Sequence, residues 1–312
     1  MSSVLSAIVA FLKWKPVRWT LLSIIGLVLA AVAALYGASA WLLSRTYEPP
    51  TIALRTTEPA SAERGERIAT VIGCKGCHGA HGRIFLEVPW IGRIIAPDLA
   101  RITKDYSEQE LIVLVRAGIK RDKTSLVVMP TGSFSSLADA DVADIVAWLR
   151  ALKPEAQTET AETGYGPLGR FLALNGALSI SATLPRDPAP LVAQPTAALA
   201  LGDYYVKTIC THCHRLNEER ELRPGLIAPP LRAMAQSYEL AQLVRLLRTG
   251  KGIGDRDLGL MSEIAVGGVD HLTDEEIGGI HAYLTAPEEP SAAAAPAETT
   301  TVEKPAAGAT GR

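Results

Sequence analysis

Two short stretches of this chain, Cys74-Lys75-Gly76-Cys77-His78 and Cys210-Thr211-His212-Cys213-His214, share one pattern, in which two cysteines three positions apart are followed at once by a histidine. Together they contain all 4 cysteines of the 312 residues. Cysteines at this spacing lie on one side of a helical turn, and the adjoining histidine points its imidazole across the same side. The chain therefore presents two thiols and one imidazole to a single ligand, and it does so twice.

This spacing indicates covalent attachment of heme. The two thiols add to the two vinyl groups of one porphyrin edge, while His78 or His214 supplies a nitrogen to the iron. We therefore expect two covalently attached heme c groups. The expected attachment residues are Cys74, Cys77, Cys210 and Cys213.

Three other uses of paired cysteines remain to be weighed. A thioredoxin-like redox pair expects a strand before the motif and does not require the histidine. A four-cysteine zinc site expects its pairs about 15 to 20 residues apart, whereas 132 residues separate Cys77 from Cys210. Two structural disulfides are also open, but a histidine would follow both pairs by chance with a frequency of about 0.0004. Heme attachment is the favoured interpretation.

The motifs lie near the start of two segments, residues 62–153 and 199–286, that can be laid over each other. Downstream of the motifs, Ala96-Pro97-Asp98-Leu99 corresponds to Ala228-Pro229-Pro230-Leu231 at a constant offset of 132, and Met129 falls on Met261 at the same offset. The segments are therefore an internal repeat.

Each repeat reads as a set of short helices. Ser107 with Glu110, and Thr273 with Glu276, form capping-box patterns ahead of apolar residues at helical spacing. Gly118 stands where the first of these helices would end. No segment alternates with period two for long enough to predict a strand, so each repeat is expected to be all-helical.

Both repeats resemble class I cytochrome c domains, and together they resemble the membrane-anchored diheme c-type cytochromes of bacteria. The resemblance covers residues 62–286 and rests chiefly on the two Cys-x-x-Cys-His motifs. It implies an all-α fold in which two tandem cytochrome c-like domains follow an N-terminal transmembrane helix. In that family a proline carbonyl accepts a hydrogen bond from the heme-ligating histidine. Pro97 and Pro229 match that proline, although both follow alanine where the family often has glycine.

The resemblance also implies that a methionine sulfur on a loop before the final helix is the sixth ligand of each iron. Met129 and Met261 match this position, so that His78 would pair with Met129 and His214 with Met261. Met261 departs from the pattern, because serine follows it instead of proline. Met234 and His271 are therefore outside candidates for the second iron. The remaining histidines, His81, His212 and His281, are expected to be bystanders.

The N-terminal part contains a run of 23 uncharged residues at 21–43. A helix of that length spans about 34 Å, enough to cross a hydrocarbon core of about 30 Å. Lys13, Lys15 and Arg18 precede the run, and only Arg45 follows closely. The positive-inside bias thus places residues 1–20 in the cytoplasm and the hemes on the periplasmic side of the inner membrane.

A cleavable signal peptide is the competing interpretation of this run, because Ala38-Ser39-Ala40 has the small-x-small form of a cleavage site. The apolar core of a signal peptide is normally about 7 to 15 residues long. The length of the run therefore favours a retained anchor, and both interpretations export the remainder of the chain.

Between and after the repeats, the composition predicts a linker and a tail. The linker is rich in Pro, Ala and Thr, and its apolar patch at 166–172 is expected to pack across a domain surface. The predicted order is a cytoplasmic segment (1–20), a transmembrane anchor (21–43), a connector (44–61), cytochrome c domain 1 (62–153), a linker (154–198), cytochrome c domain 2 (199–286) and a disordered tail (287–312).

The expected function follows from the ligand sets. If both irons have histidine and methionine ligands, neither has an open position for substrate, so the protein is expected to be an electron carrier and not an enzyme. It would serve redox protein partners, as a possible subunit of a membrane dehydrogenase or respiratory complex. A diheme peroxidase-like enzyme with one open heme site is the second interpretation, and a redox or gas sensor is a third. With 31 basic and 33 acidic residues, the formal charge of −2 excludes nucleic acid as an expected partner.

Overall fold

The structure, a computed structural model, describes residues 15–154, 161–187, 189–223 and 225–287. Most of the predicted tail and the first 14 residues of the predicted cytoplasmic segment lie outside these ranges. The described part of the protein is mostly helical, with 54% of these residues in helices and 10% in strands. The expected all-α class is therefore correct in its main feature and wrong in its lack of strands.

Helix α1 runs from Lys15–Ser44, six residues before the predicted span and one residue beyond it. Within the described ranges it is the one helix that is long and apolar enough to cross a membrane, and a signal sequence would pass the same test. Its large apolar side chains are mostly exposed, as expected of a helix whose surroundings are not protein.

The first module comprises residues 62–153 and has its helices in the order that the sequence predicts. The capping box of Ser107 with Glu110 is confirmed, and Gly118 ends that helix in the left-handed conformation with φ 65°. The elements are α2 (Ala62–Val71), α3 (Cys74–His78), β1 (Arg83–Val88), β2 (Gly92–Ala96), α4 (Leu99–Ile102), α5 (Glu108–Ala117), α6 (Thr131–Phe134) and α7 (Asp139–Ala151).

We call the elements between residues 198 and 286 the second module, and they repeat much of that order. The capping box of Thr273 with Glu276 is confirmed, and Gly250 takes the place of Gly118, with φ 69°. The helices are α9 (Ala198–Thr208), α10 (Leu231–Gln236), α11 (Leu240–Thr249), α12 (Leu260–Val266) and α13 (Asp274–Thr285). The strands are β4 (Arg220–Arg223) and β5 (Leu226–Ala228), and short 3-10 helices cover Cys210–His212, Ile253–Asp255 and Val269–His271.

The strands that the sequence did not predict form one antiparallel hairpin in each module. β1 pairs with β2 and β4 pairs with β5, both with an irregular register. Ala96 ends β2 and Ala228 ends β5, so that each hairpin leads directly into the repeated Ala-Pro segment. The hairpins therefore place Pro97 and Pro229.

Each module is closed by its first and last helices, which cross where glycine permits backbone contact. A Cβ on Gly65 of α2 would lie 1.9 Å from the carbonyl oxygen of Asp144 in α7. A Cβ on Gly202 of α9 would lie 2.0 Å from the carbonyl oxygen of Gly279 in α13. Both distances are shorter than any contact a carbon atom can make, so a larger residue would force the helices apart.

The linker lies partly against the first module. Its residues include β3 (Gly164–Tyr165), which pairs with β2, and α8 (Pro167–Leu174), which contacts β2, β3 and α1. A 3-10 helix covers Ser181–Thr183. The expectation that the apolar patch at 166–172 packs across a domain surface is confirmed only in part. Helix α8 contacts the first module through its buried Gly169 side, but the apolar side chains of Leu168 and Phe171 are exposed.

The two modules pack directly against each other, and most of their buried apolar residues form one continuous cluster. Arg67 of the first module donates to both carboxylate oxygens of Glu276, at 3.0 and 2.9 Å. In the other direction, the Tyr204 hydroxyl donates to Asp141 and accepts from the Ala138 N–H. Asp141 and Glu276 are the third residues of α7 and α13, so each module binds the start of the other's last helix.

Candidate heme-attachment sites

The first motif forms the single-turn helix α3, which follows α2 after the left-handed residue Gly73. This turn places the two thiols and the imidazole at one half-buried surface of the module. His78 Nδ1 lies 2.8 Å from the carbonyl oxygen of Pro97.

The second motif begins as the 3-10 helix Cys210–His212, directly after α9. Its cysteines and histidine are also half-buried. His214 Nδ1 lies 2.8 Å from the carbonyl oxygen of Pro229. The two motifs thus make the same histidine-to-proline contact at the same distance, although their local helix types differ.

These contacts fix which ring nitrogen is available for a metal. A carbonyl oxygen only accepts, so Nδ1 of each histidine carries the hydrogen and Nε2 retains its lone pair. Burial lowers the pKa of His78, partly opposed by its bond to the Pro97 carbonyl. The ring is therefore neutral at neutral pH, which iron ligation requires, and the carbonyl raises its basicity toward a metal.

The cysteines differ from those of a redox-active pair. None of the four, all within the described ranges, forms a disulfide. Burial, with a smaller contribution from the neighbouring cysteine, raises the pKa of Cys74 to about 12 and that of Cys210 to about 12. A nucleophilic redox cysteine has a lowered pKa instead. Helices and not strands precede both motifs, which also argues against a thioredoxin-like site.

A zinc site lacks support in the same region. Across the described residues, no group of three or more His, Cys, Asp and Glu side chains is arranged to hold a bare metal ion. Each motif offers two thiols, which can add to the two vinyl groups of one porphyrin, and one nitrogen that can bind its iron.

Met129 lies in the loop between α5 and α6, where the linker fixes its backbone. Val128, with a positive φ of 74°, donates its N–H to the carbonyl of Ser179 at 2.9 Å. The Ser181 hydroxyl donates to the Met129 carbonyl at 2.9 Å. A positive φ is costly for a β-branched residue, so these linker contacts hold a strained segment in place beside Met129.

A buried arginine holds the chain that follows. Arg116 of α5 is 4% exposed and donates to the carbonyls of Ser135 and Leu137, at 2.6 and 2.7 Å. It also pairs with the buried carboxylate of Asp139 at 2.7 Å. The segment between Met129 and α7 is therefore anchored at both ends.

Met261 has a different setting, since it lies in helix α12. Ser262 accepts the N–H of Leu258 at 2.8 Å and donates its hydroxyl to the Gly250 carbonyl. Serine thus connects this helix to the end of α11 at the position where the first repeat has Pro130. The sequence predicted this difference in neighbours but not the helix.

The two outside candidates for the second iron also have defined positions. Met234 is half-buried in α10 and, like Met261, packs against the core. His271 is exposed, and its Nδ1 lies 3.0 Å from a carboxylate oxygen of Asp270.

Each module has apolar side chains that suit the walls of a porphyrin pocket. They are half-buried and pack on the core without being covered by it. In the first module they include Leu99, Tyr106, Leu126 and Met129, and in the second they include Ile209, Leu216, Val244, Ile253, Leu258 and Met261.

Each motif also contacts the other module. The ring of His212 packs edge-on against Phe134 at the end of α6, with ring centroids 5.7 Å apart. Gly76 is the third residue of the first motif, as His212 is of the second. A Cβ added to Gly76 would lie 3.9 Å from the carbonyl oxygen of Gly267, the residue that follows α12. His212 was expected to be a bystander, and its place in the module interface has no signal in the sequence pattern. His281 was also expected to be a bystander. It lies on α13, and its Nε2 is 2.9 Å from the carbonyl oxygen of Tyr238.

Comparison with known proteins identifies the first module. Residues 62–153 match the family model described as cytochrome c. The chain therefore contains a cytochrome c domain there, which implies covalently bound heme c and heme-based electron transfer. No curated protein matches the chain.

Proposed function

We propose that this protein is a membrane-tethered diheme c-type cytochrome that passes electrons between a respiratory dehydrogenase or quinol-oxidising partner and a downstream acceptor. The observation that carries this proposal is the repeated contact of a motif histidine with a proline carbonyl, at 2.8 Å in both modules. A second attachment site that served no heme would have no reason to reproduce it.

The architecture of the second module supports a second cytochrome c domain there. Its first and last helices cross at Gly202 and Gly279, as α2 and α7 cross at Gly65. Its hairpin ends in the same Ala-Pro segment, and its helix α11 ends at a left-handed glycine like that of α5. These features lie outside the Cys-x-x-Cys-His motif, and each has a counterpart in the first module.

In this proposal one histidine and one methionine of each module would hold an iron. His78 and His214 supply nitrogen ligands, oriented by Pro97 and Pro229 through the Nδ1 hydrogen bonds. Met129 and Met261 supply sulfur ligands. Heme supplies one-electron iron chemistry when bound, and a thioether ligand favours the ferrous state.

The packing of the modules supports transfer within one molecule. Each motif lies against the segment that follows the other module's methionine, through His212 on Phe134 and Gly76 near Gly267. The Arg67–Glu276 pair and the shared apolar cluster hold the modules together. The chain thus acts as one packed relay rather than as two carriers on a loose connector.

Helix α1 supports the location of this relay. We propose that it is retained as a single-pass anchor in the inner membrane, with residues 1–20 in the cytoplasm and both modules in the periplasm. The basic residues before the apolar run support this orientation. A tether confines the protein to two dimensions in its search for redox partners.

A peroxidase-like enzyme is the second candidate function, and the setting of Met261 is the observation that favours it. Met261 lies within a helix and lacks the following proline, whereas Met129 lies in a loop and is followed by Pro130. An iron that lost this ligand would have an open position for peroxide.

Spectroscopy of the heme-loaded full chain, purified from membranes in mild detergent, separates the two candidates. The carrier predicts low-spin iron at both sites, a sulfur-to-iron charge-transfer band from both, and no turnover of peroxide. A high-spin site that turns over peroxide would overturn the carrier in favour of the enzyme.

A further inference from the structure

Four large apolar side chains form an exposed surface on the linker side of the first module. Trp90 is 74% exposed, and Leu168, Phe171 and Leu174 of α8 are 44%, 53% and 40% exposed. We call these four residues the α8 patch. Single exposed apolar residues are ordinary, but several of them on one surface mark a site of interaction.

The four residues belong to one rigid surface. The Leu168 N–H donates to the Trp90 carbonyl at 2.9 Å. A Cβ on Gly166 would lie 2.3 Å from the Trp90 carbonyl oxygen, and one on Gly169 would lie 2.0 Å from that of Ile91. Glycine at these two positions lets α8 press directly onto the turn that carries Trp90.

Helical spacing turns the apolar side of α8 away from the module. Leu168, Phe171 and Leu174 follow one another at intervals of three, which keeps them on one side of a helix. Gly169 and Ala173, which are buried, lie on the opposite side. The protein thus covers one face of α8 and leaves the apolar face open.

This helix lies beside the end of the apolar helix α1. Arg170 donates to the Ser39 hydroxyl at 3.0 Å, and its guanidinium lies 4.5 Å from the centre of the Tyr36 ring. Ser39 is fully buried by this contact. Ser39 precedes the end of the uncharged run at residue 43 by about 6 Å along the helix axis. The contact therefore lies within the apolar run and not beyond it.

We propose that the α8 patch lies in the interfacial region of the same bilayer that holds α1, with the four side chains among the acyl-chain segments nearest the headgroups. This inference rests on the proposed membrane anchor. A surface that packs on the last turns of a spanning helix is at the depth of the lipid interface, where tryptophan and apolar residues are favoured. Arg170 fits this depth, because its stem can lie along apolar surface while its head reaches polar groups.

The consequence is a fixed orientation. With α1 and the α8 patch both in the bilayer, the first module has two attachments and cannot rotate freely on a stalk. The same face of both modules is then always presented to redox partners in the membrane plane.

Photo-crosslinking of the heme-loaded full chain in phospholipid nanodiscs tests this placement. Benzoylphenylalanine replaces one residue at a time: Phe171 or Trp90 in the α8 patch, Leu29 in α1, and Ile227 in the second module. Ile227 is 56% exposed and Leu29 is 63% exposed, so both match Phe171 in exposure. Heme content and intact mass confirm folding and retention of α1.

The proposal predicts lipid adducts at positions 29, 171 and 90 and none at 227. Adducts at 29 without any at 171 and 90 would overturn the placement of the α8 patch while leaving the anchor standing. Absence of adducts at all four positions would overturn the anchor as well. Equal labelling at 227 would show that the adducts are unselective and contradict the proposal. In native membranes, crosslinks from 171 to another protein instead of lipid would overturn the lipid placement and make the patch a protein-docking surface.

Discussion

At the motif histidines, the two ring nitrogens have different tasks. Nδ1 donates to Pro97 or Pro229, which leaves Nε2 for iron. The positions of the methionines do not by themselves fix the second ligand of each iron. The described residues include three half-buried methionines that pack on the core, Met129, Met234 and Met261. Single substitutions distinguish a ligand from a residue that only fills space.

Replacing Met129 or Met261 with leucine should each convert one of the two hemes from low spin to high spin. Leucine preserves most of the apolar volume but has no sulfur to coordinate iron. The sulfur-to-iron charge-transfer band should fall to half its intensity in either variant and disappear in the double variant.

Met234→Leu is the matched control, because Met234 is also half-buried against the core. Its spectrum should equal that of the unaltered protein. If Met261→Leu leaves the spectrum unchanged while Met234→Leu alters it, the second iron has Met234 as its ligand and our assignment is wrong.

The residue types of the sites could be read from the sequence, and their surroundings could not. The cysteines and histidines are predictable because heme attachment demands a fixed spacing along the chain. The interface role of His212, and the anchoring of Ser135 and Leu137 by Arg116, depend on residues far apart in sequence. Such contacts leave no periodic pattern along the chain.

Among the secondary-structure elements, the crossing of the first and last helices is the feature most sensitive to volume. At Gly65 and Gly202 one helix backbone lies directly on another. A Cβ added at these positions would be only 1.9 and 2.0 Å from a carbonyl oxygen of the crossing helix. The same crossing in both modules supports the proposal that both have the same fold.

Gly65→Ala and Gly202→Ala should each destabilise their module, because the added carbon must push two packed helices apart. Overpacking of this kind costs about 1–3 kcal/mol or more. Thermal unfolding of the heme-loaded protein, followed by circular dichroism, measures the loss as a lowered Tm.

Gly278→Ala provides the control for this experiment. Gly278 is beside Gly279 in α13, but a Cβ there would meet nothing within 4 Å. Alanine in a helix is better than glycine by about 0.5–1 kcal/mol, so the Tm should stay the same or rise. A Tm for Gly202→Ala equal to that of Gly278→Ala would contradict the close crossing in the second module.

The hairpins were missed at this scale for a physical reason. Strand prediction relies on alternation between a buried and an exposed face, yet most of β1 is exposed, including Ile84 and Phe85. β4 and β5 have only 4 and 3 residues. Helices α5 and α13 were predictable because each begins with a recognisable capping box followed by apolar residues at helical spacing.

Over the whole molecule, the partly buried pair of Arg67 and Glu276 joins the two modules. Burial raises the pKa of Glu276, but the hydrogen bonds from Arg67 and Tyr205 together outweigh this effect. The pKa of Glu276 therefore lies below its ordinary value of 4.5. A lowered carboxyl pKa means that the pair stabilises the folded state above pH 4.5. This contribution is lost as the pH falls from 4.5 through the pKa of the folded state.

Arg67→Gln should therefore lower the free energy of unfolding by about 1–3 kcal/mol at pH 7, since it leaves the buried carboxylate of Glu276 with fewer charged hydrogen bonds. The difference from the unaltered protein should shrink in acid, below pH 4.5. Chemical denaturation at a series of pH values measures both effects.

Arg245→Gln is the comparison, because the Arg245–Asp255 pair is exposed on the surface of the second module. Exposed pairs contribute about 0–1 kcal/mol, so this variant should be nearly neutral at every pH. An Arg67→Gln variant as stable as Arg245→Gln at pH 7 would show that the modules do not depend on this contact.

The internal repeat can be seen in the sequence, but the contact between the two modules cannot. The repeat is visible because its motifs and its offset of 132 recur. The linker was recognised by composition, which cannot show that Ser179 and Ser181 hold the segment around Met129. Only the folded chain brings the linker back onto the first module.

Intact mass spectrometry of the protein purified from membranes, together with heme quantification, tests the central claim most directly. We predict one chain that carries the mass of two covalently bound hemes, reduced to one heme by Cys210→Ala with Cys213→Ala. A chain with a single heme, unaffected by those two substitutions, would contradict the account.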